Sequence, residues 1–141
     1  MNHIIDFESN GENTSQKLID RYSLSHIIHG ILFYFIFENI SFTKKYSLVL
    51  TLVFEILWEW FENTPYIIKK YRANPEFKNY KGDSFLNIIG DVIFTLIGYF
   101  IANYSSRISI IIVIILELLL IPFEANFLKL GLGSLLNKHN N

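Results

Sequence analysis

The placement of charge along its apolar stretches constrains this chain more than any other feature. Between Ser23 and Phe123 four predominantly apolar segments follow one another. The ionisable residues inside them are His26, His29, Glu38, Glu55, Glu59, Glu62, Asp91 and Glu117, with no Lys or Arg deep among them. A charged side chain at the centre of a membrane span costs about 2.5–3.5 kcal/mol even on the lenient insertion scale. Carboxylates without matching cations must therefore be protonated, paired with histidine or a loop cation, hydrated in a cavity, or bound to a metal.

Composition narrows the setting. A chain of 141 residues has room for one domain, and 51% hydrophobic against 18% charged residues argues against disorder and against an ordinary cytosolic enzyme. The absence of cysteine excludes a disulfide framework, a thiolate metal site and a cysteine nucleophile. A formal net charge of −1 provides no field for nucleic acid. A soluble four-helix bundle would show a polar face along every helix, yet Ile108–Leu116 contains a single polar residue, Ser109. The sequence predicts an all-α, polytopic transmembrane bundle of about four helices, with a short interfacial helix after the second.

Residues 1–22 are polar and mixed in charge, without the pattern of a cleavable signal peptide. A transmembrane domain over 23–123 is expected, with spans at about 24–40, 46–63, 84–104 and 107–123. Ser23 or Ser25 would cap the first, which at about 17 residues and 1.5 Å per residue is short for a hydrocarbon core of about 30 Å. Thr64 and Pro65 end the second and start a new helix, with Thr64 as N-cap and Pro65 in the first turn. That element, PYIIKKYR, is amphipathic and too short to span. Ala73–Gly82 reads as a loop, Asp83 or Ser84 as the start of the third span, and Ser105–Ser106 as a tight turn before the fourth, which Pro122 ends. Gly90 and Gly98 lie near one face and would admit a neighbouring helix. The tail, 124–141, is half apolar.

With an even number of spans, Lys17, Arg21, Lys69, Lys70, Arg72, Lys78, Lys81, Lys129 and Lys138 fall on one side and Lys44, Lys45 and Arg107 on the other. The positive-inside rule then puts the Lys69–Asp83 connection and both ends of this sequence in the cytoplasm.

Helical spacing gathers the polar residues into stripes. Glu55, Trp58, Glu59 and Glu62 share one face of the second helix, and His26 and His29 lie on adjacent turns of the first. Asp83, Asn87 and Asp91 recur every four residues on the third, and the fourth supplies Glu117. Glu38 sits at a helix end and reads as interfacial, while Trp58, Trp60, Tyr66 and Tyr71 read as an aromatic belt. Arg72, with Lys69 and Lys70, is either a headgroup anchor or a counter-charge to the acids.

With these residues laid out, SHIIHGILFY (25–34), E-x-x-W-E-x-x-E-N-T-P-x-I-I-x-x-Y-R (55–72) and G-D-S-x-x-N-x-x-x-D (82–91) resemble the signature of an uncharacterised family of short bacterial multi-pass membrane proteins within the VanZ-like superfamily. The resemblance covers about Asn13 to Ala102. Its motif positions fall on His26, His29, Glu55, Glu59, Glu62, Asn63, Arg72, Gly82, Asp83, Asn87 and Asp91. It implies residence in the bacterial inner membrane and a further hydrophobic segment ahead of the first, which this sequence does not carry. EANFLKLGL departs from the family's C-terminal pattern, keeping only Asn126.

Three functions fit these residues. One is a binding or transport protein whose acidic stripes take up a cation, protons or an anionic lipid headgroup, affecting the cell envelope; four short helices would then need a homo-oligomer to form a pathway. Another is a membrane-embedded enzyme on a lipid-linked substrate. Its catalytic candidates are His26, His29, Glu55, Glu59 and Asp91, and Glu62, Asn63, Lys69, Arg72, Asp83 and Asn87 are its ligand-binding candidates. Imidazole and carboxylate on separate helices suit a divalent metal at His26, His29, Glu55 and Glu59. The third is a structural protein whose polar stripes only hold helices together.

Overall fold

The computed structural model of the chain describes residues 4–7, 15–73, 75–123 and 128. These residues are mostly helical: α1 (Ser23–Asn39), α2 (Ser47–Glu62), α3 (Pro65–Arg72), α4 (Phe85–Tyr104) and α5 (Ser106–Leu120). Single 3-10 turns occupy Lys44–Tyr46, Pro75–Phe77 and Ile121–Phe123, the second inside the segment expected to be a plain loop. The tail at 124–141 lies outside the described residues apart from Leu128.

Local chemistry sets most boundaries. Thr64 Oγ1 accepts the Ile67 amide and Pro65 occupies the first turn of α3. Ser84 Oγ accepts the Asn87 amide at the start of α4, and Ser105 Oγ accepts the Ile108 amide at the start of α5. The first helix differs from expectation, because neither Ser23 nor Ser25 caps it. Asp20 does so from outside the helix, its Oδ1 accepting the amides of Tyr22 at 2.8 Å and Ser23 at 2.9 Å. Two two-residue strands, β1 (Ile5–Asp6) and β2 (Ile19–Asp20), pair in parallel just before it, an element the sequence did not announce.

Helix α1 lies along α4, and α2 and α5 each pack against both members of that pair. The α1–α4 crossing is a contact of backbone with backbone. A Cβ on Gly30 would sit 1.8 Å from the Thr95 carbonyl oxygen, and one on Gly98 would sit 2.0 Å from that of Ile27. Gly90 also meets backbone, but its neighbour is the Leu18 carbonyl at 1.8 Å, in the segment before α1 rather than in a helix.

The bundle is polar inside and apolar outside. Ser23, Ser25, His26, His29, Thr51, Glu55, Glu59, Asn87, Asp91, Thr95 and Ser109 are buried. Val53, Phe54, Ile56 and Leu57 of α2, Ile93, Ile97 and Phe100 of α4, and Ile110, Ile111, Ile114, Ile115, Leu118 and Leu119 of α5 are exposed. Among the described residues the contiguous apolar cluster is small, Ile28, Leu116 and Leu120 with partly buried neighbours such as Leu24, Ile27 and Leu32. Other buried apolar side chains, such as Ile31 and Phe37, lie outside it. Helix α4, with 20 residues and a mean hydropathy of 1.9, is long and apolar enough to cross a membrane. Helices α1, α2 and α5 have 17, 16 and 15 residues.

Overpacking a tight interface costs about 1–3 kcal/mol. Gly30→Ala and Gly98→Ala should each destabilise the bundle by at least that much, because the clashing atoms are backbone and cannot swing away. Thermal unfolding in detergent checks this, with Ile111→Ala on the exposed face of α5 as a control expected to change little.

Candidate functional site

The stripes of α1, α2 and α4 meet between those helices. Glu55 is wholly buried and its carboxylate is held from both sides. With that carboxylate ionised and acceptor-only, His26 Nδ1–H donates to Oε1 at 2.5 Å and His29 Nδ1–H donates to Oε2 at 3.1 Å. The two imidazoles pack edge to face with centroids 4.7 Å apart, and His29 leans edge-on against Trp58 at 5.3 Å. Trp58 and Tyr71, both expected in an aromatic belt, therefore belong to the site, whereas Trp60 and Tyr66 are exposed.

One turn further along α2, Glu59 Oε1 lies 3.5 Å from His26 Nδ1, and from α4 Asp91 Oδ2 lies 3.8 Å from His26 Nε2. Glu59 and Asp91 are 2% and 3% exposed, yet neither oxygen of Glu59, nor Oδ1 of Asp91, has a hydrogen-bond partner. Buried polar atoms normally have one, and an unmet group costs about 1–3 kcal/mol.

At the end of the bundle where α2 finishes and α4 begins, a second group forms around Asp83. Asn63 ties the two helices together: its Nδ2–H donates to Asp83 Oδ2 at 2.8 Å and to the Glu59 carbonyl at 2.9 Å, and its Oδ1 accepts the Asp83 amide at 2.6 Å. The Tyr80 hydroxyl donates to both Asp83 oxygens, at 2.9 and 3.0 Å, and the Tyr71 hydroxyl donates to Glu62 Oε1 at 2.6 Å. Burial, followed by the neighbouring carboxylates, pushes both phenols up and keeps them protonated donors. Burial also raises the Asp83 carboxyl, against the pull of the hydrogen bonds from Tyr80, Ser15 and Asn63.

Asn87 turns to the segment before α1, donating to the Lys17 carbonyl at 3.0 Å and to Asp20 Oδ2 at 3.4 Å. A cleft of about 60 Å³, room for a few waters, runs from His26, His29 and Asp91 past Asn87 to Glu62 and Asp83. Its remaining wall includes Tyr22, Trp58, Tyr71, Phe77 and Tyr80. Lys69 and Arg72 do not line it: both are exposed, and Arg72 Nε–H donates to the Tyr80 carbonyl at 2.5 Å. Glu38 sits apart with Lys44 at 3.7 Å and the Ser47 hydroxyl at 2.8 Å, and Glu117 is not among the cleft residues.

Donor atoms from His26, His29 and Glu55 lie within 4.8 Å of one another, as do those from His26, Glu59 and Asp91 and those from Glu59, Glu62 and Asp83. The groups share His26 and Glu59, so they form one continuous chain from the interior to the end of the bundle.

Residues 2–136 match the family described as Protein of unknown function (DUF2585). The chain belongs to this family. It is 38% identical over 126 residues to a UPF0314 protein of Brucella anthropi, covering 87% of this chain and 64% of that protein. It is 44% identical over 96 residues to one from Rhizobium johnstonii, covering 67% and 49%, and 35% identical over 109 residues to one from Novosphingobium aromaticivorans, covering 72% and 54%. The chain thus spans about half to two thirds of the length of these relatives. No solved structure matches it.

Removing a hydrogen bond to a charged group costs about 1.5–3 kcal/mol. Asn63→Ala should destabilise the protein by that order and speed amide exchange over Tyr80–Ser84, where the Asp83 amide loses its acceptor. Hydrogen-exchange mass spectrometry reads both effects.

Proposed function

We propose that this chain is a multi-pass protein of the inner membrane that binds a divalent cation between α1, α2 and α4. The observation that carries the reading is Glu59 with Asp91: two buried carboxylates on facing helices, with unpartnered oxygens, beside the imidazole of His26. Among the described residues no Lys or Arg pairs with Glu55, Glu59 or Asp91. A cation is the economical way to compensate them.

In this reading Glu55 is an orienting residue. By accepting Nδ1–H from both histidines it fixes their tautomer, and a carboxylate behind an imidazole raises its basicity as a ligand. His26, through the ring nitrogen not donated to Glu55, would form the first ligand set with Glu59 and Asp91. Zinc, iron or manganese suits imidazole with carboxylates, with bonds of about 2.0–2.2 Å for zinc. Donors within 4.8 Å of one another need to close by only about 1 Å to meet such an ion.

The multi-pass part of the proposal rests on the apolar outer faces of α2, α4 and α5, which water would not favour and lipid would. A VanZ-like relationship and a cytoplasmic location for the Ala73–Gly82 connection belong to the same proposal. The aromatic wall of the cleft favours one second reading, an enzyme on an amphipathic, lipid-linked substrate, since Tyr22, Trp58, Tyr71, Phe77 and Tyr80 offer an apolar route to the acids.

Metal analysis of the detergent-purified chain tests the cation. Wild type should carry a transition metal, His26→Ala and Glu59→Gln should lose it, and Glu55→Gln should weaken it by about 10–100-fold. Unchanged metal in all three, or none in wild type, overturns the reading. Reporters inserted in Ala73–Gly82 and fused after Asn141 should report the same compartment; opposite compartments would rule out the four-span arrangement.

A further inference from the structure

Resting on that reading, we infer that the end of the bundle holds a second cation position, built of oxygen donors only, from Glu59, Glu62 and Asp83, and sharing Glu59 with the buried one. One ligand atom from each of the three lies within 4.8 Å of the other two. Three carboxylates together would not make a site by themselves. The independent observation is Glu59, 2% exposed and with neither oxygen hydrogen-bonded, placed between the two groups and counted in both. A carboxylate in that position can give one oxygen to each of two ions, as bridging carboxylates do in sites whose metals lie about 3.5–4 Å apart.

The surroundings of Glu62 and Asp83 fit such a role. Their hydrogen-bond donors are neutral groups, Tyr71 for Glu62 and Tyr80, Asn63 and Ser15 for Asp83, which orient the carboxylates without adding a cationic counter-charge. Asp83 Oδ2 already accepts from Asn63 and Tyr80, which leaves the Glu62 carboxylate and Asp83 Oδ1 to offer lone pairs to an ion. The buried set contains imidazole and suits a borderline transition metal, whereas three carboxylates suit a harder ion such as Mn²⁺, Mg²⁺ or Ca²⁺. Glu62 and Asp83 are half-buried and line the cleft that leads inward to His26 and Asp91. The outer position is therefore the entry point, and Glu59 is the ligand common to the entering and the resident ion.

Mn²⁺ titration of the full chain in nanodiscs, read by the electron paramagnetic resonance of free Mn²⁺, tests this. Wild type should bind two equivalents. Glu62→Gln and Asp83→Asn should each lose one and keep one; His26→Ala should lose the other; Glu59→Gln should lose the buried one and weaken the outer one by about tenfold or more. Glu62→Gln keeps an acceptor for the Tyr71 hydroxyl, so it stands as the folding-safe variant if Asp83→Asn unfolds. A single wild-type equivalent that survives Glu62→Gln and disappears in His26→Ala overturns the outer position and leaves the buried one standing. A single equivalent with the opposite pattern supports the outer position and removes the buried one. No Mn²⁺ bound to wild type overturns both.

Discussion

The approach of α1 to α4 through Gly30 and Gly98 is the contact on which the rest of the molecule depends. Each glycine leaves space that the opposing helix fills with its own backbone, so the helices meet without an intervening layer of side chains. At that separation the Thr95 hydroxyl donates to the His26 carbonyl at 3.2 Å, and Asp91, one turn earlier on α4, comes to 3.8 Å from the His26 ring. Helix α2 packs against this pair with Glu55 between the two imidazoles.

The interior this creates is unusual in its balance. Glu55 has all it needs, because two Nδ1–H groups cover its two oxygens. Glu59 and Asp91 are equally deep and less well served. Nothing in the small apolar cluster of Ile28, Leu116 and Leu120 offsets that cost locally. The apolar surface that could stabilise the protein faces outward, where burial requires an apolar surrounding medium.

Much of this was legible in the chain. Spacings of three and four residues place His26 with His29, Glu55 with Glu59, and Asn87 with Asp91, because a helix makes such neighbours inevitable. The same periodicity carried one step further would have added Thr51 and Thr95, both buried. Asp20 was missed for a different reason. It lies in a segment that reads as a polar terminus, and its only local signal is an acidic side chain three residues ahead of Ser23, a capping pattern. The partners of Asn87 and Gly90 in that segment, about 70 residues away, were not legible, because no local rule encodes a return of that length. For Arg72 the chain offers two roles, headgroup anchor or counter-charge to the acids; its side chain is exposed and donates to the Tyr80 carbonyl, away from the buried acids.

The Leu18 carbonyl resting on Gly90, like Ile27 on Gly98, imposes an order on assembly. Synthesis delivers α1 and α2 before α4, so any His–Glu pairing made at that stage lacks the helix that closes over it. The segment ahead of α1 is made before α4 and can be seated only after it, since its seat is a glycine on α4. A stretch that looks like a leader into the bundle is, in the order of construction, its closing piece.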